Sequence, residues 1–119
     1  MSKPTIYTYR KCSTCRKATK WMDAQGLKYT EKPIRETPPS VAELRKMLKR
    51  QDGQLKKLFN TSGGDYREMK LGPKLPTMSD EDAIALLHAN GNLVKRPFLL
   101  AGDIGLVGFK EDVWTAALG

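Results

Sequence analysis

The chain has 119 residues, enough for one domain with a single main core. Its mean hydropathy is −0.51, and it shows neither an apolar run of about 20 residues nor the apolar core of a signal peptide, so we expect a cytoplasmic protein without a membrane span. The formal net charge of +8 is concentrated in residues 1–57, which hold 15 Lys and Arg against 5 Asp and Glu. Such a basic half suits an anionic substrate, an acidic protein or nucleic acid, or is a solvated surface.

Residues 1–36 predict a β-α-β unit. Residues 5–9 are β-branched and aromatic, which is typical of a strand. A helical repeat of apolar residues follows over about 13–25 and ends at Gly26, and residues 27–34 alternate as in a second strand. This order favours a parallel pair of strands with a right-handed crossover.

Residues 37–91 predict a helical segment. Ser40 is placed to cap a helix whose apolar stripe runs to Arg50, and shorter helices are predicted around residues 55–59 and 66–71. Ser79 is followed by three acidic residues, which favours the first turn of another helix. These helices separate the first β-α-β unit from the last third of the chain.

The last third of the chain predicts a β-hairpin and a closing helix. Residues 98–101 and 104–109 read as strands joined by a tight turn, and residues 110–118 as a helix. The order β-α-β, helices, β-β-α shows no internal repeat and no linker, so we treat residues 1–119 as one domain.

The Cys12-Ser13-Thr14-Cys15 motif carries the clearest chemical signal. Cys12 lies where a strand passes into a helix, and the free N–H groups at a helix N-terminus favour the nucleophilic thiolate. Cys15 follows one turn later and could resolve an intermediate by closing a disulfide. Two alternatives stay open: Cys15 is a buried small residue while Cys12 acts alone, or both thiols are structural. We expect no metal, because zinc needs two further ligands and the chain offers only His88.

Several further stretches occur in a fixed order along the chain. They are Tyr9-x-x-Cys12-x-x-Cys15-Arg16-Lys17-Ala18, Asn60-Thr-Ser-Gly63, Tyr66-Arg67-Glu68, Leu75-Pro-Thr-Met-Ser79, Lys95-Arg96-Pro97 and Val107-Gly-Phe-Lys-Glu-Asp112. Over nearly the whole chain they resemble the arsenate reductase (ArsC) family, which includes the Spx/MgsR regulators. The resemblance implies a thioredoxin-like, glutaredoxin-type α/β fold with a mixed four-stranded sheet. Its core would comprise about residues 1–36 and 92–119, with residues 37–91 as an inserted helical segment, and Pro97 would follow a cis peptide bond.

The resemblance also implies a reaction. In family members that depend on glutathione and glutaredoxin, the cysteine matching Cys12 attacks arsenate, arginines hold the oxyanion, and reduced thiols release arsenite. Guanidinium groups suit this task because they donate paired hydrogen bonds. Of three family arginines, one matches Arg96 and the other two fall at Asn60 and Phe109. The expected oxyanion-binding residues are Arg96, Arg16, Asn60 and Lys110. No cofactor is expected to stay bound, and glutathione with glutaredoxin, or thioredoxin, would donate electrons.

The Spx branch implies a different function. There a C-x-x-C pair acts as a thiol/disulfide switch in a protein that binds the C-terminal domain of the RNA polymerase alpha subunit. The Cys12-to-Cys15 motif and the Asp52-Gly53 turn resemble that branch. Direct binding to DNA is not expected, because the basic helix near Arg45 and Arg50 lacks a base-recognition motif. The sequence therefore predicts a thiol reductase and keeps a redox-switch regulator as the alternative.

Overall fold

A mixed four-stranded sheet forms the centre of the computed structural model, which describes residues 3–119. The strands are β1 (Thr5–Thr8), β2 (Thr30–Pro33), β3 (Phe98–Ala101) and β4 (Ile104–Val107). Their spatial order is β2-β1-β3-β4, with β1 parallel to β2 and antiparallel to β3, and with β3 antiparallel to β4. This topology confirms the predicted α/β fold with its mixed four-stranded sheet.

Helices supply the rest of the architecture. The α-helices are α1 (Ser13–Ala24), α2 (Val41–Arg50), α3 (Gly64–Glu68), α4 (Leu71–Lys74), α5 (Asp80–Ala89) and α6 (Glu111–Leu118), and 3₁₀ helices span Leu55–Leu58, Leu75–Thr77 and Gly91–Leu93. Within residues 3–119, no helix is long and apolar enough to cross a membrane.

The two faces of the sheet bury different sets of apolar residues, because successive side chains of a strand point to opposite sides. Tyr7 and Phe98 lie in a core with the helices of residues 41–93. Ile6 and Leu99 lie in a second core with residues of α1 and α6, namely Ala18, Trp21, Met22 and Trp114. The helix that begins beside Cys12 is therefore fixed to the sheet along its length.

The predicted boundaries agree with the structure where local signals are strong. The helix predicted to run to Arg50 and the strand over residues 98–101 are confirmed at those ends. The second strand begins at Thr30 rather than at Leu27, because the N–H of Leu27 donates to the Met22 carbonyl and continues the turn after α1. The single helical turn predicted over 66–71 is divided into α3 and α4 by Lys70, which adopts a left-handed conformation with φ of 53°.

Candidate active site around Cys12

Cys12 lies at the N-terminus of α1, immediately after the loop that follows β1. Its N–H donates to the Tyr9 carbonyl at 3.0 Å, which closes that loop. Its Sγ atom accepts a hydrogen bond from the Cys15 N–H at 3.3 Å, and the side chain is partly exposed. The N–H groups of the first helical turn favour negative charge at this place. The sulfur is thus accessible and lies at the positive end of the helix.

Cys15 differs from Cys12 although it lies only one helical turn away. Its side chain is 2% exposed. Burial, followed by the hydrogen bond with Cys12, raises the pKa of the Cys15 thiol to about 12, while the nearby charge of Arg96 acts weakly in the opposite direction. At neutral pH Cys15 is therefore a protonated thiol, and Cys12 is the more accessible of the two sulfurs.

Arg96 brings a positive charge to this site. The Arg96–Pro97 peptide bond is cis. The Arg96 Cζ atom lies 5.0 Å from the centroid of the Tyr9 ring, and its Nη1 atom is buried without a hydrogen-bond partner among residues 3–119. Buried polar groups nearly always have a partner. This guanidinium therefore has an N–H that no other described residue uses.

Arg35 is a second arginine at this site, and the sequence analysis missed it. Parallel pairing aligns Thr8 with Pro33, and the N–H of Ile34 donates to the Thr8 carbonyl at 2.9 Å. Tyr9 follows Thr8 and Arg35 follows Ile34, so the side chains of Tyr9 and Arg35 meet. The Arg35 Nη1 atom donates to the Tyr9 hydroxyl at 2.9 Å, and the Arg35 Cζ atom lies 5.0 Å from the centroid of the Tyr9 ring. The signal that could have identified Arg35 is its place just after a strand parallel to β1.

Three further residues were predicted to bind the oxyanion, and each has its own surroundings: they are Arg16, Asn60 and Lys110. Arg16 is exposed, and its Nη1 atom donates to the Arg10 carbonyl at 3.1 Å, so it supports the loop before Cys12. The Asn60 loop is joined to the segment before Arg96, because the Asn60 N–H donates to the Leu93 carbonyl at 2.7 Å. Lys110 lines a surface groove of about 540 Å³ together with Lys56, Lys57 and Lys95.

Phe109, which falls at a family arginine position, packs among aromatic residues. Its ring centroid lies 5.0 Å from that of Trp114 and 6.2 Å from that of Trp21. Aromatic pairs at such distances contribute favourable packing. Phe109 therefore fixes α6 against α1, and it supplies no charge for an anion.

Comparison with known proteins agrees with this architecture. A model of the ArsC family matches residues 7–117. The protein YusI of Bacillus subtilis is 47% identical over 108 residues, which are 91% of this chain and 92% of YusI. The global transcriptional regulator Spx of Staphylococcus haemolyticus is 28% identical over 108 residues, covering 91% of this chain and 81% of Spx.

Solved structures show the same relationship. The crystal structure of an ArsC family related protein from Bacteroides fragilis superposes with a TM-score of 0.90 at 45% identity and covers 96% of both chains. The structure described as a possible arsenate reductase from Streptococcus mutans superposes with a TM-score of 0.87 at 37% identity, covering 95% of this chain and 98% of that one. The family model spans nearly the whole chain, and these relatives cover almost all of it. The chain therefore belongs to the ArsC family.

Proposed function

We propose that the protein is a thiol-dependent reductase in which Cys12 is the nucleophile toward arsenate, a related oxyanion or a disulfide. The observation that carries this proposal is the placement of an accessible sulfur at the start of α1, with the Cys15 N–H 3.3 Å from it. The Arg96 guanidinium, with its unpartnered Nη1 atom, supplies a cationic donor at the same site. A thiolate with a guanidinium in the same region suits attack on an anionic electrophile.

The proposed reaction with arsenate runs in two stages. The Cys12 thiolate attacks arsenic and displaces water, which gives a thiol–arsenate adduct held by Arg96. A thiol of the electron donor then attacks the Cys12 sulfur, so that the electron pair of the sulfur–arsenic bond passes to arsenic and arsenite leaves. A second donor thiol reduces the resulting mixed disulfide. In total two thiols become one disulfide while one arsenate becomes arsenite and water.

A steady-state assay tests this function. Arsenate is supplied with glutathione, glutaredoxin and glutathione reductase, or with thioredoxin and its reductase, and oxidation of the reduced nicotinamide cofactor in the coupled system is followed. We expect turnover in the wild type and none above background in Cys12→Ser. A wild-type rate equal to that of Cys12→Ser with both donors would exclude arsenate reduction.

A redox-switch regulator is the second candidate function. It is supported by the relatives named as the regulator Spx, which are 28% identical or less in the examples compared, and by the position of Cys12 and Cys15 one turn apart. The groove containing Lys56, Lys57 and Lys110 adds a basic surface, since no acidic residue lines it. Such a surface suits an acidic protein partner.

Titration calorimetry with the C-terminal domain of the RNA polymerase alpha subunit tests this second candidate. The protein is measured once fully reduced and once after oxidation of its thiols. Saturable binding whose affinity changes with oxidation is the expected result for a switch. Absence of heat in both redox states would eliminate it.

A further inference from the structure

Tyr9 connects the loop before Cys12 to two arginines. Its backbone carbonyl accepts the N–H of Cys12 at 3.0 Å, so Tyr9 is part of the turn that presents the sulfur. The centroid of its ring lies 5.0 Å from the Cζ atom of Arg35 and 5.0 Å from the Cζ atom of Arg96. The side chain is partly buried and packs against the core formed with the helices of residues 41–93. The ring is therefore an anchored surface shared by two guanidinium groups.

Arg35 fixes the hydroxyl end of the Tyr9 side chain. Its Nη1 atom donates to the Tyr9 hydroxyl at 2.9 Å, which is a charge-assisted hydrogen bond. Arg35 itself is placed by the sheet, because it comes just after β2, whose last residue, Pro33, pairs with Thr8 at the end of β1. One end of the Tyr9 side chain thus packs on the core, while the other end is bound to an exposed arginine of the neighbouring strand.

Arg96 has fewer polar contacts than Arg35. Its Nη1 atom is buried without a hydrogen-bond partner, and neither of the two ion pairs found within residues 3–119 includes Arg96. An aromatic face attracts a guanidinium through the charge of the ring quadrupole, without engaging the N–H groups. A carboxylate in the place of the ring would occupy those N–H groups and cancel the positive charge. Tyr9 can therefore hold Arg96 while leaving its charge and its donors to an anion.

We propose that Tyr9 is a positioning residue, whose ring holds the Arg96 guanidinium beside the Cys12 loop while Arg35 fixes the ring. The proposal rests on the proposed role of Arg96 as the cationic group for an oxyanion at Cys12. The charge of Arg96 does reach the motif, because it opposes the rise in the Cys15 pKa that burial and the hydrogen bond with Cys12 cause. Without the ring, the long Arg96 side chain would lose this fixed place.

Alkylation of Cys12 by iodoacetate and by iodoacetamide measures the positive charge near its sulfur. The two reagents are similar in size, but the first is anionic and the second is neutral. The ratio of their rate constants at Cys12, obtained by peptide mapping, cancels the general accessibility and the ionised fraction of the thiol. We expect Arg96→Met to lower this anionic-to-neutral ratio about fivefold, which is the size of effect that one unit charge has at close range in a water-like medium.

A double-mutant cycle tests whether Tyr9 acts through Arg96. Tyr9→Leu should lower the ratio about threefold or more in the wild type, and should have no further effect in the Arg96→Met background. Tyr9→Phe keeps the ring face and should retain most of the wild-type ratio. Tyr29→Leu is the matched control, because Tyr29 precedes Thr30, which pairs with Thr5 at the far end of β1, and it should leave the ratio unchanged.

Urea unfolding verifies that each variant is folded, and Tyr9→Met, with its more adaptable side chain, replaces Tyr9→Leu if the latter does not fold. A wild-type ratio in the ring-less variant, or an equal fall with and without Arg96, would overturn the positioning role. An unchanged ratio in Arg96→Met would overturn both this role and the oxyanion-binding role of Arg96. Absence of arsenate turnover together with the expected cycle would overturn the proposed reaction alone and support the positioning of Arg96 by Tyr9.

Discussion

The backbone N–H of Cys15 points at the Sγ atom of Cys12, with 3.3 Å between nitrogen and sulfur. The same residue that stabilises the Cys12 sulfur through its backbone keeps its own sulfur buried, at 2% exposure. The two thiols of the motif are therefore unequal, because Cys12 is partly exposed whereas burial covers Cys15 and raises its pKa.

This inequality predicts selective alkylation. With iodoacetamide at neutral pH, Cys12 should be modified while Cys15 stays unmodified, since Cys15 is buried and its pKa is raised to about 12. Peptide mapping by mass spectrometry measures both sites in one sample. Cys12→Ser should lose nearly all labelling of the folded protein. Labelling of Cys15 at a rate comparable to that of Cys12 would contradict the assignment of the nucleophile.

The raised pKa of Cys15 also predicts a loss of stability at alkaline pH. An unfolded thiol ionises near pH 8.5, whereas the native Cys15 thiol holds its proton up to about pH 12. Between these values the unfolded chain has released a proton that the native state keeps. The free energy of unfolding therefore falls as pH rises, by up to about 1.4 kcal/mol per pH unit for this group.

Urea unfolding in a reducing buffer tests this dependence. Raising the pH from neutral to one unit above the ordinary thiol value should cost the wild type about 1.4 kcal/mol more than it costs Cys15→Ala. The comparison removes contributions that both proteins share, including those of the tyrosines. A parallel decline in the two proteins would show that Cys15 ionises as easily in the native state as in the unfolded chain.

Much of the fold could be predicted because its signals are local. The start of α2 is fixed by a capping box, in which the Ser40 hydroxyl accepts from the Glu43 N–H and the Glu43 carboxylate accepts from the Ser40 N–H. The hairpin of β3 and β4 joins strands that are neighbours in sequence. The true start of β2 could not be predicted, because Leu27 bonds back to Met22 and alternation alone does not reveal that turn.

The residues around Cys12 could be predicted only in part, because some of them are brought together by tertiary structure rather than by a local motif. Cys12, Cys15 and Arg96 stand in short motifs, so sequence alone could name them. Arg35 reaches Tyr9 through the register of two parallel strands separated by a helix, and no local pattern records that register. Motifs therefore predicted the accessible sulfur, and tertiary structure supplied the second arginine beside Tyr9.

We expect the hydrogen bond between Tyr7 and Glu43 to contribute measurably to the free energy of unfolding. It is 2% exposed and its hydroxyl donates to the Glu43 Oε1 atom at 2.7 Å; burial, followed by this carboxylate, raises the pKa of the phenol. Tyr7→Phe should lower the free energy of unfolding by about 1–2 kcal/mol, because Glu43 loses a buried donor. Urea unfolding measures the change.

Tyr29 offers a matched control for Tyr7. Its hydroxyl donates to the Asp23 Oδ1 atom at 2.9 Å in an exposed setting. Tyr29→Phe should change the free energy of unfolding by less than about 0.5 kcal/mol, as expected for a surface substitution. Equal losses in Tyr7→Phe and Tyr29→Phe would show that burial does not strengthen the bond to Glu43.

The backbone at Gly91 packs closely against the backbone of Ile34 and Arg35. A Cβ atom at position 91 would lie 1.9 Å from the Ile34 carbonyl oxygen, in the residue just before Arg35, so Gly91→Ala must displace that backbone. We expect the free energy of unfolding to fall by about 1–3 kcal/mol from overpacking, which urea unfolding measures. Gly64→Ala is the control, because its Cβ meets nothing within 4 Å and should leave stability equal or slightly higher. Equal free energies of unfolding in Gly91→Ala and the wild type would show that the Ile34 backbone moves aside without cost.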